Sequence, residues 1–371
     1  MEQSKLRDVQ IFEWFDYFHN NPEESWKEYN TTKKISQILN DLNVKHYTFE
    51  DVTGVIAEIG EGDEVIAVRA DIDALWQEVD GVKKANHSCG HDANMSMVLG
   101  ALLSLLKEKL DKRVRFIFQP AEETGGGSMA MVERDVLEDV THLFGIHLRP
   151  IEELPLGKVS PTIRHGAAVF LQGRVIGEDA HGARPHQGKS ALDVMFAIQQ
   201  AIQSLHVDPF QPYSAKITKI VSDGGSINII PGNATFTMDL RAQKNNVLTK
   251  IQSKVEERIE QIAKMYDVKI ELDWLDLTPG AEVHDEALAI AKKSIVEALG
   301  DEFLAPDVVT PGSDDFHFYT IAKPELKATM LGIGANLTPG LHHPKMTFDK
   351  VALIIGANAL ATTIKNAAKE D

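Results

Sequence analysis

Several scarcities narrow what this chain can be. It holds one cysteine, Cys89, in 371 residues, so no intrachain disulfide can form, which fits a reducing compartment. Basic residues are outnumbered, 38 Lys and Arg against 55 Asp and Glu, for a formal net charge of -17. Nucleic-acid binding and docking on an anionic membrane both need clustered positive charge, and this balance argues against either. The acidic surplus favours solubility but says little about substrate, because local groups and bound cations set the field inside a pocket. No apolar run is long enough to cross a bilayer. The first residues, Met1-Glu2-Gln3-Ser4-Lys5-Leu6-Arg7-Asp8, have no apolar stretch behind their charges, as a secretory leader would. A soluble, cytoplasmic protein is expected. There is no internal repeat and no low-complexity tract.

What is present is an ordinary globular composition, 43% hydrophobic and 25% charged, at a length suited to two domains. Apolar spacing predicts helices over 6–18 and 32–39, then strands over 52–59 and 65–70. A helix is expected from Gly90 through Leu106, a strand over 114–118, a helix opening at Gly125-Gly126-Gly127, and a strand over 143–147. Strands alternating with helices predict an α/β domain with a mixed, mostly parallel sheet. The pattern changes near residue 167. A strand over 168–176, a helix over 190–205, strands over 215–221, 226–230 and 234–240, a helix over 247–265 and a strand over 268–274 come next. That β-α-β-β-α-β order predicts an inserted ferredoxin-like α+β domain. Residues 1–166 and 282–371 are thus expected to form one domain, and 167–281 a lid or dimerisation domain within it. A helix over 285–298, a strand over 328–333 and a helix over 349–368 complete the first.

The sole cysteine lies in Ser88-Cys89-Gly90-His91-Asp92, and the carboxylate pair Glu122-Glu123 comes one strand later. A thiolate and an imidazole two residues apart can turn toward one point where a turn enters a helix. A nearby carboxylate pair can add one ligand and one free base, which together are the parts of a hydrolytic metal site. Asp71, Asp73, Glu122, Glu123 and His147 all fall just past predicted strands, where open α/β sheets bind ligands. A lone cysteine is otherwise most often a buried core thiol, but few core thiols have such neighbours.

These segments resemble, across nearly the whole chain, the metal-dependent amidohydrolases of the aminoacylase, carboxypeptidase and hippurate-hydrolase group within the dinuclear peptidase clan, and among them the AmhX-like amidohydrolase branch. The resemblance is carried by Phe18-His19-Asn20-Asn21-Pro22-Glu23, Arg69-Ala70-Asp71-Ile72-Asp73-Ala74-Leu75, His87-Ser88-Cys89-Gly90-His91-Asp92 and Gln119-Pro120-Ala121-Glu122-Glu123. Further on it is carried by Gly145-Ile146-His147, His181-Gly182-Ala183-Arg184-Pro185-His186, Asn228-Ile229-Ile230-Pro231, Gly312-Ser313-Asp314-Asp315-Phe316 and Leu341-His342-His343-Pro344. It implies a zinc-peptidase-like catalytic domain holding two divalent ions (Mn, Zn or Co), with Cys89 bridging them and His91, Glu123, His147 and His342 as further ligands. It implies Glu122 as general base, Asp73 orienting the site, and His181, in some relatives supplied by a partner subunit, stabilising the oxyanion. Asn228 and Arg241 fall where lid residues meet substrate. The implied reaction is hydrolysis of the amide of an N-acyl amino acid or a small peptide, and the implied assembly is a homodimer through the lid.

Plainer readings apply to other residues. His46, His206 and His284 lack motif context and read as structural, and His142, in a strand, reads as packed. His343 competes with His342, but the Leu-His-x-Pro pattern favours His342. Asp92 either supports the site or starts a helix. Arg241 either binds a substrate carboxylate or pairs with an acid inside the lid. The glycine run lacks the Lys and spacing of a nucleotide loop. Trp76 replaces the usual Pro, Asn94 the usual His and Asp314 the usual Glu. None of these removes a ligand or the base, though the first two leave the shape of the pocket open.

Overall fold

The Val65–Asp71 strand is buried along its whole length, as a strand covered on both faces must be. In the computed structural model, which describes the backbone of residues 2–369 and the side chains of residues 5–369, it lies near the middle of a seven-stranded sheet. It pairs in parallel with Arg113–Gln119 on one side and Val140–Pro150 on the other. Lys327–Leu337 joins Val140–Pro150, also in parallel. Antiparallel strands finish the sheet: Val55–Ile59 and then Lys45–Thr48 at one edge, and Val159–Ser160 at the other. The sheet is mixed and mostly parallel, as the alternation of elements predicts.

Helices cover both faces. His91–Leu105 is buried on nearly every side and packs against Glu2–Asn20 and Val351–Ala367. Its side chains Val98, Leu99 and Leu102 join Ile11, Phe15, Leu353 and Leu360 in one apolar cluster. A smaller cluster, with Met131, Leu143, Phe316 and Tyr319, fills the other face.

The chain divides into two compact units. One comprises Met1–Arg164, Glu282–Val309 and Asp315–Asp371, the other His165–Ala281 and Thr310–Asp314. The second unit holds a four-stranded antiparallel sheet in the order Tyr213–Val221, Asn233–Ala242, Ala167–Ile176, Lys269–Thr278. Burial alternates along Asn233–Ala242, so one face is apolar. That face is covered by Ala191–Gln203 and Asn245–Tyr266, whose Ile198, Ile251, Val255 and Ile259 meet Leu171, Phe236 and Met238. This is the ferredoxin-like arrangement.

Short elements such as Lys45–Thr48, Val159–Ser160 and His317–Ala322 add to those expected, and three further details differ. The strand expected over 226–230 shrinks to Ile229–Ile230, which pairs with Ala180–His181 outside the four-stranded sheet. Ile227 is fully exposed, so the apolar run there has no layer to cover it. Leu75–Val79 and Val82–Asn86 form an unanticipated hairpin, turned by Asp80 and Gly81 with φ of 50° and 82°. Asp-Gly is the signal for such a turn. The strand expected over 143–147 runs on to Pro150, because Lys327–Leu337 pairs with it throughout. Among the described residues, no helix is long and apolar enough to cross a membrane.

Phe144 is fully buried on a central strand. Phe144→Ala should cost about 3–5 kcal/mol, read as a lowered urea midpoint. A midpoint equal to that of wild type would contradict the central place of this strand.

Candidate metal centre

Three neighbouring strands deliver polar side chains to one rim. Asp71 ends the Val65–Asp71 strand, with Asp73 two residues beyond it. Glu122 and Glu123 lie just past the end of Arg113–Gln119. The pairing of Val65–Asp71 with Val140–Pro150 stops at Arg69 and Gly145, so His147 stands beyond it, inside its own longer strand. Cys89 and His91 flank Gly90, which precedes the His91–Leu105 helix with φ of 91°. That left-handed turn, which glycine adopts without strain, lets the chain reverse between the sulfur and the imidazole. His342 lies in a loop, and its N–H donates to the Ser88 carbonyl (2.7 Å), tying it to the Cys89 turn.

The donor atoms converge. Cys89 Sγ lies 3.6 Å from His147 Nε2. His91 Nε2 lies 3.7 Å from Glu122 Oε2 and 3.9 Å from Glu123 Oε1. His342 Nε2 lies 3.5 Å from Glu123 Oε2. Cys89, His91 and His147 form one group whose ligand atoms all lie within 4.8 Å of one another, and Cys89, Glu123 and His342 form another. His91, Glu122 and Glu123 form a third by the same measure. The sulfur is common to the first two.

Hydrogen bonds on the far side of each ring aim the imidazoles. His91 Nδ1 donates to the Asp73 carbonyl (2.9 Å) and approaches its carboxylate (3.2 Å). His147 Nδ1 donates to the Leu148 carbonyl (2.7 Å). Each ring is thereby held with Nε2 facing inward, the usual support of a metal-binding histidine. Asp73 is itself fixed by Ser25 Oγ (2.6 Å) and by the Glu123 N–H (3.0 Å). His91 Nε2 and Glu123 Oε1 are buried with no hydrogen-bond partner. With its proton on Nδ1, His91 offers a lone pair at Nε2, so two orphaned lone-pair atoms beside a thiol make a donor set that fits a cation.

The electrostatics point the same way. Burial first, and then Glu123, push the Cys89 thiol well above its ordinary range. Burial, with Asp73 and Asp71 adding to it against His91, raises Glu123 to about 7. Burial opposes charge on His91, yet Asp71, Cys89 and Asp73 together hold its pKa well up. Burial also opposes charge on Asp73, but the bonds from His91, Ser25 and the Glu123 N–H hold it low. A site this rich in buried anionic groups attracts protons or cations.

Beneath the rim lies a buried network that motif reasoning did not resolve. Arg69 bonds Asp71, Gln119 (2.9 Å) and Asp315 (2.7 Å). Asn94 Nδ2 donates to Asp71 Oδ1 (2.8 Å), which ties this departure from the family pattern to the network on one side, while its Oδ1 is buried with no hydrogen-bond partner. Asp315 also accepts from Gln119 and from the Ser128 N–H (2.9 Å each), while its own N–H reaches Glu122 Oε1 (3.4 Å).

The remaining candidates lie elsewhere. In the second unit, His181 is exposed and its Nδ1 accepts the Ala183 N–H (3.0 Å), which leaves Nε2 carrying the proton. Asn228 adjoins it through its carbonyl, bonded to the Gly182 N–H (2.7 Å). Its Oδ1 accepts from Ser226 (2.9 Å), and the other end of the amide is a donor. Arg241 pairs with Asp239 on its own strand (2.9 Å), so the acidic partner that the sequence left open lies within the second unit. His343 is engaged locally, its Nδ1 accepting the Lys345 N–H (3.1 Å). His142 is buried and lies 3.3 Å from Glu286, and His284 caps the helix that starts after it.

Asp92 accepts from its neighbour Ala93 (2.8 Å) and pairs with His19 (2.7 Å), so it joins two helix ends. That bond, against partial burial, raises the His19 pKa above 6.5. A raised imidazole pKa stabilises the fold fully below the unfolded value, and the gain fades as pH climbs through the folded value. His19 is half exposed, so the effect is about 1 kcal/mol or less. His19→Ala should therefore lower the urea midpoint more at about pH 5 than at about pH 9. An equal loss at both would contradict the charged pair.

The chain matches the peptidase family M20/M25/M40 over residues 67–366. It is 32% identical over 330 residues to an IAA-amino acid hydrolase (ILR1-like 4) of Arabidopsis thaliana, covering 82% of this chain and 73% of that protein. It is 30% identical over 365 residues to an N-acetylcysteine deacetylase of Bacillus subtilis, covering 92% and 93% of the two. A crystal structure of a dinuclear metal-binding M20 peptidase from Bacillus subtilis superposes with a TM-score of 0.82 at 26% identity, covering 98% of this chain and 99% of that one. With the converging donors of the three-strand rim, these matches establish that the chain belongs to the M20/M25/M40 peptidase family of metal-dependent amidohydrolases.

Proposed function

We propose that this chain cleaves the amide bond of N-acyl amino acids or related small amides, using two divalent cations and Glu122 as general base. The observation that carries this reading is the sharing of Cys89 Sγ between two donor groups, one with His91 and His147 and the other with Glu123 and His342. A sulfur in two such groups suits a bridging ligand. When bound, two cations would hold Cys89 as thiolate, lower the pKa of water and polarise the substrate carbonyl. Manganese, zinc and cobalt all suit thiolate, imidazole and carboxylate donors.

Within this reading the chain's own residues divide the work. Glu123 binds, while its neighbour Glu122 accepts a proton from the attacking water and passes it to the leaving amine. The Asp315 N–H steadies Glu122, and Asp73 orients His91. His181, with its proton on Nε2, is suited to donate to the developing oxyanion, and the Asn228 amide is a second donor from the same segment. Arg241 would meet a substrate carboxylate only by sharing the fork that Asp239 now holds. A non-catalytic binding homologue would be expected to lack the base or the shared sulfur, and both are present.

Cleavage of dipeptides or of C-terminal peptide bonds uses the same chemistry and is the second reading. The names of the two relatives, one a deacetylase of N-acetylcysteine and the other a hydrolase of IAA-amino acid, favour acyl-amino acids. A panel of acyl-amino acids set against dipeptides separates the two. A cytoplasmic location belongs to this reading, since Cys89 must stay reduced to bind metal. So does a homodimer through the inserted unit, whose edge strand Tyr213–Val221 carries exposed Ile220 and Val221. Sedimentation showing only monomer would dispose of the dimer.

Dialysis against a chelator should abolish turnover, and added manganese, cobalt or zinc should restore it. Activity that survives complete metal removal would overturn the reading. Glu122→Gln should keep metal and lose at least about 100-fold in kcat, the usual worth of a general base. Near-wild-type turnover would contradict its role. Cys89→Ala should lower metal content below two ions per chain, and unchanged occupancy would mean that the sulfur is not a ligand.

A further inference from the structure

We propose that Glu28 is a positioning residue for the Glu122-Glu123 pair, fixing the Ala121 backbone from which the pair departs. The inference rests on reading that pair as base and ligand. Glu28 stands at the N-cap of the Tyr29–Asp41 helix, where an acidic side chain would normally cap the first turn. It makes no such bond. Its carboxylate, fully buried, instead reaches across to the sheet. Oε1 accepts the Ala121 N–H (2.8 Å) and Oε2 accepts from Thr53 Oγ1 (2.5 Å).

A buried carboxylate is costly unless its bonds do something that an apolar side chain cannot. Here burial raises Glu28 to about 7 even though the Thr53 and Ala121 bonds act the other way. What those bonds secure is a strained residue. Ala121 has φ of 53°, the left-handed region that a Cβ disfavours. Its N–H belongs to a fully buried residue and would lack a partner without Glu28. Its carbonyl accepts the Gly127 N–H (3.2 Å). At Gly127 a Cβ would fall 1.6 Å from the Pro120 carbonyl, so the turn is closed tightly on that side as well. The Glu123 N–H is held by Asp73, and Glu122 Oε1 by the Asp315 N–H. Glu28 therefore sets the peptide plane ahead of the pair, and the other bonds fix the two glutamates themselves.

The hydrogen-bond chemistry separates positioning from mere bulk. In Glu28→Gln the amide oxygen can still accept from Ala121, and the amide nitrogen can donate to Thr53, whose hydroxyl also accepts. Glu28→Asp keeps the carboxyl group but is one methylene too short to span both partners. The full-length chain, free of metal, should be compared by hydrogen exchange over residues 120–127. Manganese affinity, kcat and KM should then be measured on the same proteins. Glu28→Asp should speed exchange in that segment, and lower manganese affinity and kcat, by about tenfold with KM little changed, while Glu28→Gln stays within about threefold of wild type. Adding Ala121→Gly, which adopts positive φ freely, should recover much of what Glu28→Asp loses. Wild-type exchange and kcat in Glu28→Asp, or equal damage in Glu28→Gln, would overturn the proposal. Should Glu28→Asp not fold, Thr53→Val decides: it should speed exchange in the same segment, and no change there overturns the assignment. A wild-type chain that binds no manganese would contradict the metal reading instead, and the exchange comparison would still decide the role of Glu28.

Discussion

The Cys89 thiol is buried beside Glu123, and both burial and that carboxylate keep its proton on. Left to these neighbours the sulfur is inert. The same surroundings that disfavour a lone thiolate favour one joined to cations, because the adjoining carboxylates and imidazoles are placed to share the positive charge. The rest of the site is arranged around that constraint. Asp73 and the Leu148 carbonyl hold proton-bearing nitrogens away from the sulfur. Gly90 turns the chain between sulfur and imidazole, and His342 is tied back to Ser88.

The scaffold lowers the cost of this placement. Parallel strands end at a common rim, and neighbouring strands bring acids and an imidazole there without long loops. Fixing all the donors on flexible loops would cost far more ordering entropy than placing Cys89, His91, Glu123 and His147 at strand ends and one helix start, with the loop residue His342 tied to Ser88. Below the rim, the buried Arg69–Asp71–Gln119–Asp315 network holds the strand ends together. It links them to a segment 246 residues away from Arg69, so the rim is braced by the fold and not only by its own neighbours.

The candidate cluster was legible in the sequence because metal chemistry admits few residue types at close spacing. Cys89, His91 and the Glu122-Glu123 pair show that restriction directly. The alternation of elements likewise exposed the parallel sheet and the inserted β-α-β-β-α-β unit. The features that stayed hidden depend on partners distant in sequence. Glu28 lies 93 residues from Ala121, and no local pattern marks a glutamate that declines to cap its own helix. The run over 226–230 alternates like a strand, but it lacks a neighbour for most of its length, and pairing outweighs propensity. The Leu75–Asn86 hairpin had its signal in Asp80-Gly81, but its strands are short and carry no apolar run to frame that turn.

The central claim is that one sulfur joins two cations. Crystals of the manganese-loaded chain, measured for anomalous scattering from manganese, test it directly. The account predicts two anomalous peaks, both within bonding distance of Cys89 Sγ, with His91 and His147 on one side and Glu123 and His342 on the other. A single peak, or a sulfur turned away from both, would contradict it.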